Sequence, residues 1–311
     1  MVRCSHCAKE AHMDDTVLSR KDVHRAVTDK IVAAIEVGAN DYEMPWHRSV
    51  TRPVNAVTWK PYHGVNVVAL WCAAASRGFR SGHWATYRQW QSIGAQVRKG
   101  ERGAVVVFYK SIEPQNNDEG DEAEKANDRP KLIARASWAF NAEQVDGWAV
   151  PTQDKPNEVE IRGHVEAFIA ATHADIQHGG DMACYDLIND VIKLPRPERF
   201  VGTKMSSATE AYYSVVLHEL THWSGASHRL DRKLRNRFGD DAYAMEELVA
   251  EFGAAFLCAD LQISNEPRPD HASYVASWLR VLNKDRTALF TAASNASGAV
   301  TFLSDFSAQR A

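Results

Sequence analysis

His218-Glu219-Leu220-Thr221-His222 sets two imidazoles four residues apart with a carboxylate beside the first. On a helix, residues one turn apart share a face, so both rings can reach a single ion. Glu219 then stands where it can take a proton from a water on that ion. Imidazoles around an open coordination position suit Zn2+, and Mn2+ is a second divalent ion that the donor set admits. The motif must sit on a helix for this to work. Ser207-Ala208-Thr209-Glu210 fits a capping box that opens one, the serine oxygen accepting from the N3 amide while the glutamate reaches back.

A metal site of this kind needs a third protein ligand. Met245 to Phe252 supplies carboxylates on another expected helix, with Glu247 and Glu251 four apart and therefore on one face. The pattern resembles the thermolysin-like (gluzincin) arrangement. That resemblance implies Glu247 as the ligand and Glu251 as an acid that orients a ligand imidazole through its free N–H. The stretch His218 to His228 also satisfies HExxHxxGxxH, the metzincin pattern, with Gly225 in the turn, His228 as third ligand and Met245 as the Met-turn residue. Met245 falls in a helix-like run, which favours the first reading. Tyr243 and His228 are the candidates for stabilising an oxyanion.

A second chemistry is written between Met44 and Gly100, 57 residues without one Asp or Glu. Eight Lys or Arg share the stretch with five of the nine tryptophans. Cations that neutralise phosphates, interleaved with π-faces that stack on unpaired bases, are what single-stranded nucleic acid requires. The candidate contacts are Trp46, Arg48, Arg52, Asn55, Trp59, Lys60, Tyr62, Asn66, Arg80, Tyr87, Arg88, Arg98 and Lys99. Trp71, inside an apolar helix, reads as core, and so does Trp90. Asn55 and Asn66 fit either base contacts or turns.

The elements that must position these groups follow from periodicity. Apolar spacing predicts helices over 22–37, 65–77 and 84–93, and a hairpin with arms 105–110 and 132–140. Between the arms, 113–129 is acidic and poor in large apolar groups, an expected loop. A helix is expected over 160–171, then short strands over 174–177 and 182–194 around the turn His178-Gly179-Gly180-Asp181. The domain reading is an extension over 1–15, a nucleic-acid-binding domain over 16–150, a linker over 151–157 and a metallopeptidase-like domain over 158–311. At 311 residues two domains are the default.

Charge divides along the same line. Residues 16–110 hold 14 Lys and Arg against 6 Asp and Glu, whereas 111–311 hold 20 against 31. Two kinds of partner are expected. Five cysteines, at 4, 7, 72, 184 and 258, lack the density of a disulfide scaffold and are read as reduced. The longest apolar run, Val67 to Ala75, is nine residues, far short of the roughly 20 that cross a bilayer. No apolar h-region marks the first 15 residues, so the expectation is a cytoplasmic protein with no membrane partner.

Both halves resemble one family, the ArdC-type antirestriction proteins of mobile elements, related in their N-terminal part to TraC-type plasmid primases. The residues that carry the resemblance are Met44-Pro45-Trp46, Asn55, Pro61-Tyr62, Gly64-Val65-Asn66, Trp84 to Tyr87, Val97 to Glu101, Leu217 to Gly225, Arg229-Leu230 and Glu246 to Leu257. It implies an α+β chain: a mixed helix and β-hairpin domain that binds single-stranded DNA, followed by a zincin-like metallopeptidase domain. The activity it implies is protection of entering plasmid DNA, with zinc at His218, His222 and Glu247, Glu219 as catalytic base and a protein substrate of unspecified identity. The alternative is a DNA-masking protein whose metal is structural. Cys4-Ser5-His6-Cys7 with His12 suggests half a zinc knuckle but departs from the family pattern and is read as an extension without function.

Overall fold

The structure, a computed structural model, describes residues 20–39, 44, 46–47, 51–112, 131–149, 158–203, 206–232, 240–264 and 271–308. The extension over 1–15, the acidic segment 113–129, the linker 151–157 and Arg48 lie outside the described residues.

The N-terminal half begins with α1 (Arg20–Ala39), whose Val23, Val27, Ile31 and Ile35 are buried at helical spacing. Then come β1 (Val54–Asn55), α2 (Val65–Arg77), β2 (His83–Thr86), α3 (Tyr87–Ser92), β3 (Gln96–Val97), β4 (Ala104–Ile112), β5 (Lys131–Asn141) and β6 (Val145–Asp146). α2 stops at Gly78, which takes the left-handed conformation (φ 71°) open to glycine at little cost and returns its N–H to Ala74. β4 and β5 form the expected hairpin, Ala104 opposite Ala139 through Ile112 opposite Lys131. The main sheet has the order β1-β2-β5-β4.

Strand alternation lets this sheet serve two cores. Trp84 and Ala139 join the main apolar cluster with α1 and α2, whereas Ala85 and Phe140, one residue on, join a second cluster with Trp90, Val97 and Val145. The first three residues of the helix expected over 84–93 are thus strand. Thr86 ends β2 and caps α3, its hydroxyl accepting from Gln89 N–H, so the helix begins only at Tyr87.

The C-terminal half contains α4 (Glu158–Ala171), β7 (Asp175–His178), β8 (Cys184–Asp186), β9 (Val191–Leu194), α5 (Ala208–Ser224), α6 (Asp241–Asp260), α7 (His271–Lys284) and α8 (Ala288–Ala308). β7 runs parallel to β9, and β8 antiparallel to it, so the glycine turn after His178 does not join paired neighbours. The last two helices had no counterpart in the sequence reading. α8 packs against α4, α5, α6 and α2 through Leu289, Ala292, Ala293, Ala296 and Val300.

The main cluster runs unbroken from α1 and α2 to α5–α8. Trp71 meets Phe256 with ring centroids 5.7 Å apart, and Arg52 pairs with Asp260 at 2.7 Å. Two thiols, Cys72 on α2 and Cys258 on α6, are buried in it. Among the described residues no helix is long and apolar enough to cross a membrane.

Candidate functional site

α5 opens with the capping box: Glu210 N–H donates to Ser207 Oγ at 3.2 Å, and Ser207 N–H donates to Glu210 Oε2 at 2.8 Å. Three turns on, His218 and Glu219 are buried, and His222 is nearly so. α6 crosses α5 at Gly253, where an added Cβ would lie 2.4 Å from Thr221 Cγ2. Only glycine allows the helices so close, and the approach brings Glu247 onto the histidines.

The three side chains meet as the sequence predicts. Glu247 Oε2 lies 3.6 Å from His218 Nε2, and Glu247 Oε1 lies 3.5 Å from His222 Nε2. One ligand atom from each residue falls within 4.8 Å of the others. Such contacts are long for hydrogen bonds. Two ligands each about 2.1 Å from a tetrahedral ion stand about 3.4 Å apart, so the spacing and the N2O donor set suit a divalent transition metal.

Glu246, which sequence reasoning passed over, faces the other ring nitrogen of His222, Oε1 to Nδ1 at 3.2 Å. Arg232 holds this carboxylate through Nη2 to Oε1 at 2.9 Å and Nε to Oε2 at 3.1 Å. Burial alone would lower the His222 pKa, but bonds to Glu246 and Glu247 and their charges carry it up to about 10. Burial would raise Glu247, and its bonds to His218 and His222 push it far below the usual carboxylate range instead. Tyr243, one turn before Glu247, has its pKa raised by burial, by the bond to Tyr274 and by the charge of Glu247, so its hydroxyl keeps its proton.

The metzincin alternative is not what the structure brings together. His228 is exposed, 3.3 Å from Asp190 and in contact with Arg229, outside the His218, His222 and Glu247 group. Arg229 draws the 225–232 turn toward Asp190 and Tyr185 and stacks on Trp223, which takes His228 with it. Met245 is helical within α6. Glu251 is buried, and its Oε1 meets Trp46 Nε1 and His47 Nε2.

The candidate nucleic-acid contacts separate into two sets. Trp46 is fully buried against Phe252, Tyr62 is buried, and Asn66 bonds both backbone groups of Val107, so none of these presents a face to a base. Arg52 is spent on Asp260, the Tyr62 carbonyl and the Phe256 ring. Arg98 binds Glu101, Asp146 and the Glu143 carbonyl. Asn55 shapes a turn, its Oδ1 accepting from Val57 and Thr58 N–H. In contrast Trp59, Lys60, Arg80, Tyr87, Arg88 and Lys99 are exposed. Half-buried His83 and Trp148, which the sequence did not single out, adjoin this set: the His83 ring lies 5.5 Å from Trp59 and 5.3 Å from Trp148.

A capped helix carrying HExxH, crossed by an acidic helix, defines a zincin-like metallopeptidase domain, and residues 163–295 match the model of that family. Residues 21–140 match the N-terminal domain of the anti-restriction factor ArdC. The chain belongs to the ArdC antirestriction family. It is similar to the crystal structure of the antirestriction ArdC protein from plasmid R388 in its metal-free form, with 35% identity and a TM-score of 0.74 over 93% of this chain and 98% of that one. The Mn(II)-bound structure of that protein gives 0.71 over 92% and 98%. Protein y4eC of Sinorhizobium fredii is 47% identical over 288 residues, 91% of this chain and 92% of its own length. DNA primase TraC of Escherichia coli is 34% identical over 301 residues, but the chain spans only 20% of that protein.

Proposed function

We propose that this protein is an antirestriction factor that binds single-stranded DNA through its N-terminal half and carries a metal-dependent peptidase site in its C-terminal half. The observation that carries the second part is the meeting of His218, His222 and Glu247 at ligand spacing, next to Glu219 on the same helix. Those three residues would hold Zn2+ or Mn2+, the latter being the ion bound by the R388 relative. Bound there, the ion supplies Lewis-acid polarisation of a scissile carbonyl. Glu219 takes the proton of the attacking water, Glu246 fixes the orientation of His222, and the protonated Tyr243 hydroxyl, which bonds Glu247, is the candidate oxyanion donor.

For the first part, the support is the exposed Trp59, its ring beside half-buried His83, which in turn adjoins half-buried Trp148, together with exposed Lys60 and Arg88 from the acid-free stretch 44–100. Trp59 has a positive φ of 58° at the end of the Asn55 turn. For a bulky residue that conformation costs about 1 kcal/mol or more, and what it achieves is display of the ring.

Plasmid transfer into a restricting host, with wild type and Glu219→Gln side by side, tests the reading. Loss of protection with metal retained supports a peptidase. Undiminished protection overturns the peptidase role and leaves DNA masking.

A further inference from the structure

The helix that supplies the carboxylate ligand is gripped from the opposite half of the chain. Glu251 lies one turn after Glu247 on α6, and its Oε1 receives Trp46 Nε1–H at 2.9 Å and faces His47 Nε2 at 2.7 Å. All three side chains are buried. The backbone N–H of Met44 donates to His47 Nδ1 at 3.0 Å, so the neutral ring carries its hydrogen on Nε2 and directs it at Glu251. The turn that presents both donors is closed by His47 N–H on the Met44 carbonyl at 2.9 Å. Trp46 also packs edge-on against Phe252, ring centroids 5.0 Å apart, so the grip is steric as well as polar.

A carboxylate this buried is tolerated only while its donors stay in place. α6 is therefore pinned at Glu251 by a loop more than 200 residues away in sequence. Glu247 is on the same face one turn earlier, and the α5–α6 crossing is already as close as Gly253 permits. A shift of α6 at Glu251 must be taken up at Glu247.

We propose that Trp46 and His47 are positioning residues of the metal centre, by which the N-terminal half sets where Glu247 meets His218 and His222. The inference rests on the reading of those three residues as metal ligands. Co2+ is the probe, because its visible absorption reports both affinity and coordination geometry. Full-length wild type, Trp46→Phe, His47→Phe, His47→Gln and Glu247→Ala are titrated, with circular dichroism to confirm folding.

Trp46→Phe and His47→Phe are expected to bind Co2+ about 10- to 100-fold more weakly with altered bands. His47→Gln, whose amide N–H can reach the same oxygen, is expected to restore most of the affinity and the wild-type spectrum. Folded Trp46→Phe and His47→Phe with wild-type affinity and spectrum would overturn the proposal. Should His47→Phe fail to fold, Trp46→Phe, which keeps an aromatic ring at the position while losing the indole N–H and part of the side-chain volume, decides alone. Wild-type affinity in Glu247→Ala would bring down the ligand assignment itself, and this proposal with it.

Discussion

At the scale of single residues, the site is governed by which nitrogen carries a proton. With its pKa raised to about 10 by Glu246 and Glu247, against 6.5 for a free side chain, metal-free His222 is an imidazolium at neutral pH. A ligand nitrogen must shed its proton, so metal binding at pH 7 is expected to release about one proton, with affinity rising as pH approaches 10. Calorimetric titration with Zn2+ in buffers of different ionisation enthalpy measures that release. The same shift stabilises the metal-free fold fully below pH 6.5, and the contribution is lost as pH rises through 10. Glu246→Gln removes one of the two charges and should lower both the proton release and the affinity. In the N-terminal half, Trp59→Ala should weaken single-stranded DNA binding by about 1–3 kcal/mol. Lys60→Ala should lower the slope of log affinity against log salt by about 0.7. Both are read by oligonucleotide titration of the full chain over a salt series.

Two substitutions test the elements that bring these residues together. Ser207→Ala removes the cap of α5 and should cost about 1 kcal/mol in thermal or urea unfolding. Gly253→Ala pushes a Cβ into Thr221 and should cost about 1–3 kcal/mol, with weaker metal binding because α6 is displaced from α5. Both elements were legible in the sequence because their signals are local: a capping box, a four-residue spacing, an apolar period. β2 was not, since Trp84 and Ala85 satisfy helical spacing and strand alternation equally well, and the Thr86 cap decides between them. The aromatic and basic stretch misled for a related reason. Composition records that Trp46 and Arg52 lie in an acid-free run, while the acids that engage them, Glu251 and Asp260, come from α6. Glu246 and Arg232 escaped notice because no sequence spacing ties them to Nδ1 of His222.

For the whole molecule, the continuous apolar cluster is the controlling fact. A boundary drawn from charge and composition separates two sequence families, yet Trp71, Phe256, Arg52 and Asp260 interlock across it. Removing either half would strip the other of part of its interior. The two halves are expected to melt in one transition, with tryptophan fluorescence, dominated by the N-terminal half, and far-ultraviolet circular dichroism superimposing across a urea titration.

Cys72 and Cys258 offer an internal timekeeper for that event. Burial pushes both sulfhydryls up to about 12, and alkylating reagents attack only the ionised form, so each stays silent until its surroundings open. One reports from α2 and the other from α6. Mass-spectrometric comparison of their modification rates in native buffer therefore clocks the opening of each side separately, and matched clocks are the signature of a chain that comes apart as a single body.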